Sequence, residues 1–484
     1  MKLKDIIRDL TVLERNVDPE TEITGVSYDS RATQPGDLFV AVRGFESDGH
    51  RFIPMAVQKG AAAVLCETPP EKGVPYVRVA DCRLGLALTS RAFFGDPASE
   101  MTLIGITGTN GKTTSSYLIK HLLECKRDAK VGLIGTNGIM IGDEFLHSER
   151  TTPESYELHK LFRQMADAGC THVVMEVSSH SLVLERVAGI RFDVGLFTNL
   201  TQDHLDFHGT MEEYAAAKRL IFRQSKLGCV NLDDAWADYM MQEQKCPFLT
   251  FSAERNDAEL TAKDIRLSAS GVRFAAVRSG ELALTKLAIP GMFSVHNALG
   301  VMAVGLSLGI SLADCADALS SAKGVKGRVE SVPTDGDYAI LIDYAHTPDA
   351  LENVLKTLKP VTHGRLIAVF GCGGDRDKAK RPIMGAIAET NADICVVTSD
   401  NPRTEDPEEI VREIVAGMKH KRTATKVICD RIEAIHWAID NAHGGDVILL
   451  AGKGHEDYQI VGHEKRHMDE REIVAEYLEM RKKT

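Results

Sequence analysis

The chain has 484 residues, of which 44% are hydrophobic and 26% are charged, and its net charge is −12. This length predicts roughly three domains at about 150 residues each, and the composition is typical of globular proteins. The negative charge argues against nucleic acid as a partner. The scattered cysteines form no C-x-x-C pair, which argues against a zinc cluster or a disulfide framework, and the lack of an apolar run of roughly 18 residues argues against a membrane partner.

The first segment predicts a small α/β domain over residues 1–97. MKLKDIIRDL has the pattern of an amphipathic helix with interspersed charges rather than of a signal peptide, and free thiols fit a cytoplasmic location. Four short β-rich pieces follow, namely GVSYDSR, GDLFVAVRG, AAAVLCE and VPYVRV. The sequence Gly-Asp-Pro at 95–97 marks the end of this segment.

Strands and helices alternate along the rest of the chain, which predicts two parallel, doubly wound α/β domains over residues 98–330 and 331–484. The segment 255–291 predicts a β-rich insertion in the first of these domains. Nearly every predicted strand runs into a polar loop. Open parallel sheets bind ligands at the carboxyl ends of their strands, so we expect the functional site in a cleft between two such sheets.

A glycine-rich loop, GITGTNGKTT, lies between the first strand and the first helix of the central domain. The usual phosphate loop has a glycine where this chain has Ile106, so the loop is a shortened form. Its backbone N–H groups would bind phosphate, Lys112 would reach the β- and γ-phosphates, and Thr113 would bind Mg²⁺. A tight strand–helix turn without a nucleotide is the simpler alternative, but the flanking strand and helix favour a nucleotide.

Potential metal ligands follow the next strands of the central domain. Glu176 ends THVVMEV, and His204 lies in NLTQDHLDFHG, where two His and two Asp fall within six residues. A loop-capping glutamate and a structural histidine are the simpler alternatives. Lys218 lies in MEEYAAAKRLIF, and the strong helix propensity and spacing of that segment predict a surface lysine.

The C-terminal domain carries charged residues on several loops. Arg328 could contact a nucleotide or belong to a solvated basic loop, and Asp343 could bind a ribose hydroxyl or form a turn. Arginine suits bidentate recognition of carboxylates, so two arginines and two acids could hold a molecule with carboxylate and ammonium groups. A rim of exposed ion pairs is the alternative. These four residues are Arg376, Asp400, Arg403 and Glu456.

Nine motifs occur in order over residues 105–460, namely TGTNGKTT, MEVSSHSL, NLTQDHLDFHG, HNALG, GRVE, DYAHTPDAL, FGCGGDRD, DNPR and AGKGHEDYQ. This set resembles the Mur ligases, ATP-dependent amide-forming enzymes of peptidoglycan synthesis, which use the shortened loop. GVSYDSRATQPGDLFVAVRG resembles the uridine-diphosphate-binding domain of the branch that adds the third residue of the stem peptide. The resemblance implies three α/β domains: a small N-terminal UDP-binding domain, a central P-loop ATPase-like domain with a parallel sheet, and a C-terminal Rossmann-like domain.

The resemblance also implies the reaction and its substrates. The acceptor would be UDP-N-acetylmuramoyl-L-alanyl-D-glutamate, activated by ATP and Mg²⁺ as an acyl phosphate. DNPR is typical of ligases for meso-2,6-diaminopimelate, and lysine-adding relatives usually lack its arginine. Diaminopimelate has one more carboxylate than lysine, which a guanidinium would recognise. The family implies a cytoplasmic monomer that serves cell-wall biogenesis, cell shape and cell division.

Each residue that matches a family motif takes an implied role. The implied ATP-binding residues are Thr107, Gly108, Thr109, Asn110, Gly111, Lys112, Thr113, Asn297, Arg328 and Asp343. The implied acceptor-binding residues are Ser30, Thr151, Thr152, Ser178 and Arg186. The implied diaminopimelate-binding residues are Arg376, Asp400, Asn401, Pro402, Arg403, Gly452 and Glu456. The implied Mg²⁺ ligands are Thr113, Glu176, His204 and Lys218, and the implied catalytic residues are Lys112, Glu176, His204 and Lys218.

The resemblance assigns Lys218 to a carbamate, which reverses the surface role that its spacing predicts. Arg150 and Leu184 differ from the asparagine and glutamine of some relatives, which affects only the expected acceptor contacts. Rotation of the third domain about residues near 330 is expected to exclude water from the acyl phosphate.

Three alternatives stay open at this point. A lysine-adding ligase and a folylpolyglutamate synthetase share the loop and the domain order, but the second should lack DNPR and the YDSR-type N-terminal domain. A non-catalytic, nucleotide-gated binding protein is disfavoured because the metal and lysine positions are intact.

Overall fold

The computed structural model describes residues 1–44, 47–148, 150–322, 324–419 and 423–483. These divide into two compact units. Unit 1 comprises Met1–Leu260 and Gly300–Ser311, and unit 2 comprises Thr261–Leu299 and Leu312–Thr484. No helix in the described ranges is long and apolar enough to cross a membrane. The boundaries near residues 98 and 330 stay a prediction.

Unit 1 begins with a small five-stranded sheet. Its elements are α1 (Leu3–Ile6), β1 (Glu14–Arg15), β2 (Gly25–Ser27), β3 (Asp37–Val40), a 3-10 helix (Gly49–Phe52), α2 (Ile53–Gln58), β4 (Ala63–Cys66), β5 (Tyr76–Arg78), α3 (Cys82–Phe93) and a second 3-10 helix (Pro97–Glu100). The strand order is β1-β5-β4-β3-β2, and only the β1–β5 pair is antiparallel. Successive residues of β3 enter different apolar clusters, Leu38 with Leu3 and Phe39 with Ile53, because strand side chains alternate between faces.

The second sheet of unit 1 follows the predicted alternation of strands and helices. Its elements are β6 (Thr102–Thr107), α4 (Lys112–Arg127), β7 (Val131–Gly135), β8 (Gly138–Ile141), β9 (Glu144–Leu146), α5 (Ser155–Asp167), β10 (His172–Glu176), α6 (Ser179–Val183), β11 (Phe192–Phe197), α7 (Leu205–His208), α8 (Met211–Arg223), β12 (Ser225–Asn231), α9 (Ala237–Met241) and β13 (Phe248–Ser252). Within unit 1 the order is β13-β12-β11-β6-β10-β7-β8-β9. The pairs from β13 to β7 that define the central sheet are parallel, which confirms the predicted parallel sheet, whereas β7, β8 and β9 pair antiparallel.

Apolar runs explain why these central strands are buried. Leu103, Ile104 and Ile106 of β6 are fully buried, as expected for a strand covered on both faces. The helix α5 places buried Leu158 and Phe162 on the same stripe, and this stripe packs into the unit 1 core.

Three neighbouring strands of unit 1 end at the same level. In the strand order β11-β6-β10, Phe197 pairs with Thr107, and Glu176 pairs with Ile106. The loops that follow these strands therefore leave the sheet side by side, at the edge where parallel sheets bind ligands.

The chain from Leu260 onward begins with an antiparallel meander and continues into a second parallel sheet. The elements are β14 (Leu260–Ser268), β15 (Gly271–Arg278), β16 (Glu281–Leu287), α10 (Met292–Ser307), α11 (Leu312–Ser321), β17 (Glu330–Val332), β18 (Ala339–Asp343), α12 (Pro348–Leu358), a 3-10 helix (Lys359–Val361), β19 (Leu366–Phe370), α13 (Lys380–Asn391), β20 (Ile394–Val397), α14 (Pro407–Ala416), β21 (Ala424–Val427), α15 (Arg431–Asp440), β22 (Val447–Ala451), β23 (Tyr458–Val461), β24 (Glu464–His467) and α16 (Glu470–Lys483). The meander β14-β15-β16 confirms that the segment is β-rich, whereas its predicted place in the central domain stays a prediction.

The six-stranded sheet of unit 2 has the order β17-β18-β22-β19-β20-β21, and only the β17–β18 pair is antiparallel. Asp343 pairs with Ala451, and Phe370 pairs with Val397, so four adjacent strands end at one edge. The loops that carry the predicted amino-acid-binding residues follow these strand ends.

Candidate active site

The shortened glycine-rich loop of unit 1 leads directly from β6 into α4. Gly111 precedes the helix with φ of 84°, a left-handed conformation that glycine adopts without the steric cost of a Cβ. No side chain caps the start of this 16-residue helix. The first turn of a helix presents backbone N–H groups and a partial positive charge, which together suit a phosphate group.

The segment after β11 fixes the shape of this loop. A Cβ at Gly108 would lie 1.9 Å from Thr198 Oγ1, so only glycine permits this close approach. Thr198 Oγ1 donates to the carbonyl of Asn110 at 2.7 Å. The N–H of Asn110 donates to Asn199 Oδ1 at 2.9 Å, and the N–H of Thr109 donates to the Asn199 carbonyl at 2.9 Å. The loop is therefore held before any ligand binds.

Two lysines of unit 1 share one acceptor. Lys112 Nζ and Lys218 Nζ each donate to the carbonyl of Gly108 at 2.8 Å. Lys218 is only 1% exposed, and its Nζ lies 4.6 Å from the centre of the Tyr214 ring. Burial, and then the charge of Lys112, lower the pKa of Lys218 well below its usual value, although Asp203 opposes this shift. The direction of this shift favours the neutral amine more than it would for an exposed lysine.

The surface position that spacing predicts for Lys218 is wrong. Lys218 lies four residues after Tyr214 and three residues before Ile221, and all three are buried on one face of α8. Because i, i+4 and i, i+7 positions share a helix face, this pattern could have placed the lysine inside. Helix propensity alone carries no information about which face is buried.

Glu176 lies fully buried at the end of β10. Its Oε1 accepts the N–H of Thr136 at 3.0 Å, and its Oε2 accepts the Thr136 hydroxyl at 3.0 Å. A Cβ at Gly135 would lie 2.3 Å from Oε1, so this glycine makes room for the carboxylate. The Thr136 hydroxyl also lies 3.0 Å from Thr151 Oγ1, which links an implied metal ligand to an implied acceptor-binding residue.

The two histidines of DHLDFH have different environments. His208 Nε2 lies 2.8 Å from Ser179 Oγ, and burial lowers the pKa of His208 to about 4. The side chain of His204 is 49% exposed, and its Nε2 lies 3.4 Å from Asp203 Oδ2. His204 therefore offers a ring nitrogen to a ligand from the loop after β11, whereas His208 belongs to the core.

The predicted Mg²⁺ ligands combine several types of donor atom. Thr113 is buried in the first turn of α4, Glu176 supplies carboxylate oxygens, and His204 supplies an imidazole. Among the residues that the structure describes, no three His, Cys, Asp or Glu side chains are grouped to hold a metal ion. Glu176 and His204 are two ligands of these types. The predicted set gains a third only if Lys218 contributes a carboxylate-like group.

The implied acceptor-binding residues Thr152, Ser178 and Arg186 form one hydrogen-bonded group. Thr152 Oγ1 donates to the carbonyl of Glu176 at 2.9 Å and accepts the N–H of Ser178 at 3.1 Å. Arg186 donates to the carbonyl of Thr152 at 3.1 Å, and its Nε lies 3.0 Å from Glu154 Oε1. This group connects the end of β10 with the segment that precedes α5.

A cavity of about 790 Å³ in unit 1 brings Ser30 and Arg186 together. Four arginines contribute to its wall together with the carboxylates of Asp29 and Glu154, which pair with them, so the arginines outnumber the acids and leave positive charge for an anionic ligand such as a diphosphate. Leu184, one of the two departures from some relatives, lies here as well. The lining residues that bear on this argument are Tyr28, Ser30, Arg31, Arg83, Arg150, Leu184 and Arg186.

In unit 2, Asp343 is held by two backbone groups. The N–H of Val329 donates to Oδ2 and the N–H of Ala345 donates to Oδ1, each at 2.9 Å. Burial raises the pKa of Asp343, although the nearby charge of Arg328 opposes this. Arg328 lies over the Tyr344 ring at 5.4 Å, and Asn297 is buried in α10.

A cavity of about 560 Å³ in unit 2 contains six of the seven residues predicted to bind diaminopimelate. Two guanidinium groups and three carboxylates, one of them that of Asp377, line it, so it can receive a molecule that carries both carboxylate and ammonium groups. Tyr344, His346 and Lys380 complete part of the wall. Pro402 is buried, and its carbonyl packs closely against Gly374. The six predicted lining residues are Arg376, Asp400, Asn401, Arg403, Gly452 and Glu456.

Arg403 is positioned through its backbone as well as its side chain. Its N–H donates to the carbonyl of Ile460 at 3.1 Å, and its carbonyl accepts the N–H of Gly462 at 2.7 Å. Its Nη1 donates to the carbonyl of Gly374 at 2.7 Å. The backbone φ is 51°, a left-handed value that is uncommon for a residue with a side chain. The guanidinium is thus partly buried and directed into the cavity by contacts with two other loops.

Sequence reasoning missed the buried ion pairs that hold these loops. Arg381 is fully buried and bonds to Glu405 at 2.9 and 3.0 Å and to Glu413 at 2.8 Å. Glu405 Oε1 also accepts the N–H of Asp375 at 2.6 Å. The Arg381 guanidinium lowers the pKa of Glu405 to about 2. This ion pair therefore ties the loop of Arg403 to the loop of Arg376.

A second missed residue, Arg431, lies beneath the strand ends. It is buried, and its Nε donates to Glu470 Oε1 at 2.9 Å. Its other nitrogens donate to the carbonyl of Ala451 at 2.9 Å and to the carbonyl of Ser399 at 3.3 Å. Those two carbonyls directly precede Gly452 and Asp400, so Arg431 supports two loops of the cavity at once.

Three family models match consecutive parts of the chain. They are described as "Mur ligase family, catalytic domain" over residues 22–96, "Mur ligase middle domain" over 106–305 and "Mur ligase, glutamate ligase domain" over 327–454. This chain belongs to the Mur ligase family. The resemblance drawn from nine motifs is therefore confirmed.

Curated relatives of this Mur ligase align along nearly the whole chain. The "UDP-N-acetylmuramoyl-L-alanyl-D-glutamate--2,6-diaminopimelate ligase" of Caldanaerobacter subterraneus subsp. tengcongensis is 47% identical over 481 residues, which is 99% of each chain. The ligase of that name with the suffix 1 from Clostridium acetobutylicum is 47% identical over 482 residues, again 99% of each chain. A solved structure of a "UDP-N-acetylmuramoyl-L-alanyl-D-glutamate--2, 6-diaminopimelate ligase" is 33% identical, covers 100% of each chain and has a TM-score of 0.77.

Proposed function

We propose that this Mur ligase uses ATP to join meso-2,6-diaminopimelate to the D-glutamate carboxyl group of UDP-N-acetylmuramoyl-L-alanyl-D-glutamate, a step of peptidoglycan precursor synthesis. One observation carries the choice of amino acid: Arg376, Arg403, Asp400 and Glu456 line a single cavity. The names of the full-length relatives support the same reaction.

The cavity favours diaminopimelate over lysine for a chemical reason. The two molecules share one amino-acid end, but diaminopimelate carries a further carboxylate on its distal carbon. A second guanidinium in the cavity would bind that carboxylate through paired N–H donors, whereas the distal end of lysine carries an ammonium with no carboxylate beside it and would be repelled. Arg403 is proposed as the residue that makes this distinction.

The reaction proceeds through two displacements. A carboxylate oxygen of the D-glutamate attacks the γ-phosphorus of ATP, the bond to the β-phosphate oxygen breaks, and ADP leaves. The neutral amine of diaminopimelate then attacks the carbonyl carbon of the acyl phosphate. The C–N bond forms, the C–O bond to phosphate breaks, the nitrogen loses a proton and inorganic phosphate leaves.

Residues of unit 1 would stabilise the charge that moves in the first displacement. The first turn of α4 and Lys112 present positive charge beside the loop that is proposed to hold ATP. Phosphoryl transfer depends mainly on positioning and on such electrostatic stabilisation. Thr152, Ser178 and Arg186 would orient the acceptor next to this loop, because they are bonded to the end of β10.

The residues present fit Mg²⁺ if Lys218 is carbamylated. Carbon dioxide reacts with a neutral amine, and burial lowers the pKa of Lys218 toward that form. The ions would be held by the Thr113 hydroxyl, by the Glu176 carboxylate, by the His204 imidazole and by the Lys218 carbamate. When bound, Mg²⁺ supplies charge neutralisation between the acceptor carboxylate and the phosphates.

We also infer a cytoplasmic monomer. All ten cysteines are free thiols, and most of them are buried, which fits a reducing compartment. The substrates are small molecules, and each implied residue comes from this one chain.

Product mass after incubation with ATP and the muramoyl dipeptide tests the proposed function. The purified chain is offered meso-diaminopimelate, lysine or neither, and phosphate release is followed in parallel. We expect a product that contains diaminopimelate, phosphate release only when acceptor and amino acid are both present, and little product with lysine. Equal use of lysine would defeat the assigned substrate, and phosphate release without ligation would defeat the reaction.

A further inference from the structure

We propose that Lys453 is a positioning residue for the incoming amino acid: it fixes Asn401 as a hydrogen-bond donor and leaves one oxygen of Glu456 to receive an ammonium group. This inference rests on the proposed function, since it concerns the same cavity. Lys453 itself lies below the cavity wall and is not among the residues that line it. It therefore acts through Asn401 and Glu456.

Lys453 is fully buried just after β22, and its Nζ is surrounded by acceptors. It donates to Asn401 Oδ1 at 2.7 Å, to the carbonyl of Tyr458 at 2.5 Å and to Glu456 Oε2 at 3.3 Å. Asp400 Oδ1 lies 3.8 Å away. Three acceptors require three N–H donors, which only the ammonium form of lysine supplies.

Electrostatics around Lys453 agree with this geometry. Burial lowers the pKa of Lys453, and the charges of Asp400 and Glu456 oppose that shift. A buried ammonium is tolerated when its charge is paired and its donors are bonded, and both conditions hold here. The charge of Arg431 also lowers the pKa of Lys453, so the bonded acceptors and the two carboxylates oppose both burial and this neighbouring cation.

Asn401 receives its orientation from this arrangement. Its Oδ1 accepts two hydrogen bonds, one from Lys453 Nζ and one from the N–H of Ile460 at 2.9 Å. Its Nδ2 donates to Glu456 Oε2 at 3.0 Å. With the amide oxygen held by two donors, the side chain presents N–H to the cavity. Asn401 is thus set to bind a carboxylate oxygen rather than an ammonium group.

Glu456 is oriented by the same two neighbours. Its Oε2 accepts from Lys453 and from Asn401, whereas no hydrogen bond to its Oε1 occurs among the described residues. The free lone pairs of Oε1 suit an ammonium donor. The buried ammonium of Lys453 thereby gives the cavity a hydrogen-bond donor at Asn401 and an acceptor at Glu456. These suit the carboxylate and the ammonium of an amino acid, respectively.

A purely structural role for Lys453 would have different consequences. Loss of such a role would lower the stability of the chain and impair every substrate together. A positioning role predicts a selective loss in the KM for diaminopimelate, with the KM values for ATP and for the muramoyl dipeptide unchanged. It also predicts that the loss depends on Asn401.

The test is a double-mutant cycle with Lys453→Met, Asn401→Ala and the double variant in the full chain. Each single variant is expected to raise the KM for diaminopimelate by about 10- to 100-fold, the range for losing a charge-assisted hydrogen bond. The double variant is expected to match Lys453→Met rather than to multiply the two effects. A parent-like KM in Lys453→Met, or multiplied effects in the double variant, would overturn the proposal.

Asn401→Asp decides the matter if Lys453→Met does not fold, as judged by its thermal unfolding. This variant keeps an oxygen for Lys453 and for the N–H of Ile460, but it replaces the N–H donor with a second oxygen. The new oxygen faces Glu456 Oε2 where Nδ2 now donates at 3.0 Å, so we expect some loss of stability together with a rise of at least about 10-fold in the KM for diaminopimelate, while an unchanged KM for ATP shows that the chain is folded. An unchanged KM for diaminopimelate would remove the donor role of Asn401. If the unsubstituted chain failed to ligate diaminopimelate at all, the proposed function would fail instead.

Discussion

Both units bury basic side chains, but they do so under opposite conditions. In unit 1, Lys218 shares the carbonyl of Gly108 with a second lysine, and its pKa is lowered by burial and by that neighbour. In unit 2, Arg381 is bonded to Glu405 and Glu413, and its pKa is raised, mainly by the bond to Glu405.

This difference suits unit 1 to chemistry and unit 2 to substrate recognition. Burial and a like-charged neighbour favour the neutral form of a lysine, which is the form that the carbamate proposed for unit 1 requires. A buried cation bonded to carboxylates keeps its charge, so unit 2 is suited to hold loops and charges in place for a charged amino acid.

The largest expected effect comes from Lys218→Ala, which removes the buried amine of unit 1. We expect activity to fall about 10³-fold, in the range for loss of a group that stabilises transition-state charge. Turnover with saturating substrates measures this loss, and bicarbonate with a short carboxylic acid should restore part of it. Lys226→Ala serves as the matched control, because Lys226 is exposed and paired with Asp193. Full activity in Lys218→Ala would remove the carbamate from the mechanism.

Arg403→Ala tests recognition in unit 2. Loss of a charge-assisted pair should raise the KM for diaminopimelate by about 10- to 100-fold and should leave the KM for the muramoyl dipeptide unchanged. The preference for diaminopimelate over lysine should fall in the same assay. Arg403→Lys keeps the charge without the planar fork and should recover only part of that preference. Equal effects on both substrates would contradict the assigned role.

Arg381→Met would leave Glu405 and Glu413 without their buried cation. We expect a loss of about 3 kcal/mol in the free energy of unfolding and a severalfold rise in the KM for diaminopimelate, because the loops of Arg376 and Arg403 are no longer tied together. Urea unfolding and steady-state kinetics measure the two effects. Arg412→Met is the control, since the ion pair of Arg412 with Glu409, on the helix α14 that also carries Glu413, is exposed. Unchanged stability would show that this ion pair is dispensable.

The smallest effect on activity is expected for His159→Leu, which tests burial without a partner in unit 1. His159 is fully buried, neither ring nitrogen has a hydrogen-bond partner among the residues that the structure describes, and burial lowers its pKa to about 3. The unfolded chain takes up a proton near pH 6.5 and the folded chain does not, so stability is lost as pH falls from 6.5 toward 3. The expected loss by pH 5 is about 2 kcal/mol.

Chemical unfolding at pH 7.5 and pH 5 measures this contribution. His159→Leu should show a smaller difference between the two pH values than the parent chain and should keep its activity at pH 7.5. If the pH dependence were unchanged, the His159 ring would have a hydrogen-bond partner in the folded chain that offsets its burial. The difference drawn between the two units would then lose this support.

Much of the fold could be predicted because local patterns and burial agree. The strand β19 and its neighbours are continuous apolar runs, as expected for parallel strands covered on both faces. The helix α12 spans PDALENVLKTL, and both signals for its start are visible in the sequence, because Thr347 caps it and Pro348 suits its first turn. The hairpin of β8 and β9 was not predicted, since strands of four and three residues carry little periodic signal.

The candidate site could be predicted only in part. Residues at strand ends, such as Glu176 and Asp400, follow apolar runs and are visible in the sequence. The buried supports are not, because Arg381 bonds to a residue 24 positions away and Arg431 to one 39 positions away. Lys453 lies in the motif AGKGHEDYQ, but a motif does not show whether a side chain is buried. Pairing across long sequence separations is a property of the tertiary structure.

The left-handed backbone of Arg403 has a consequence for how this chain can evolve. A non-glycine residue in that conformation costs on the order of 1 kcal/mol, and glycine would remove the strain. If Arg403 distinguishes diaminopimelate from lysine as proposed, its replacement by glycine would relieve this backbone strain and lose the distinction. Selection on the chemical identity of the cell wall, rather than on folding, is what would keep an arginine at this position.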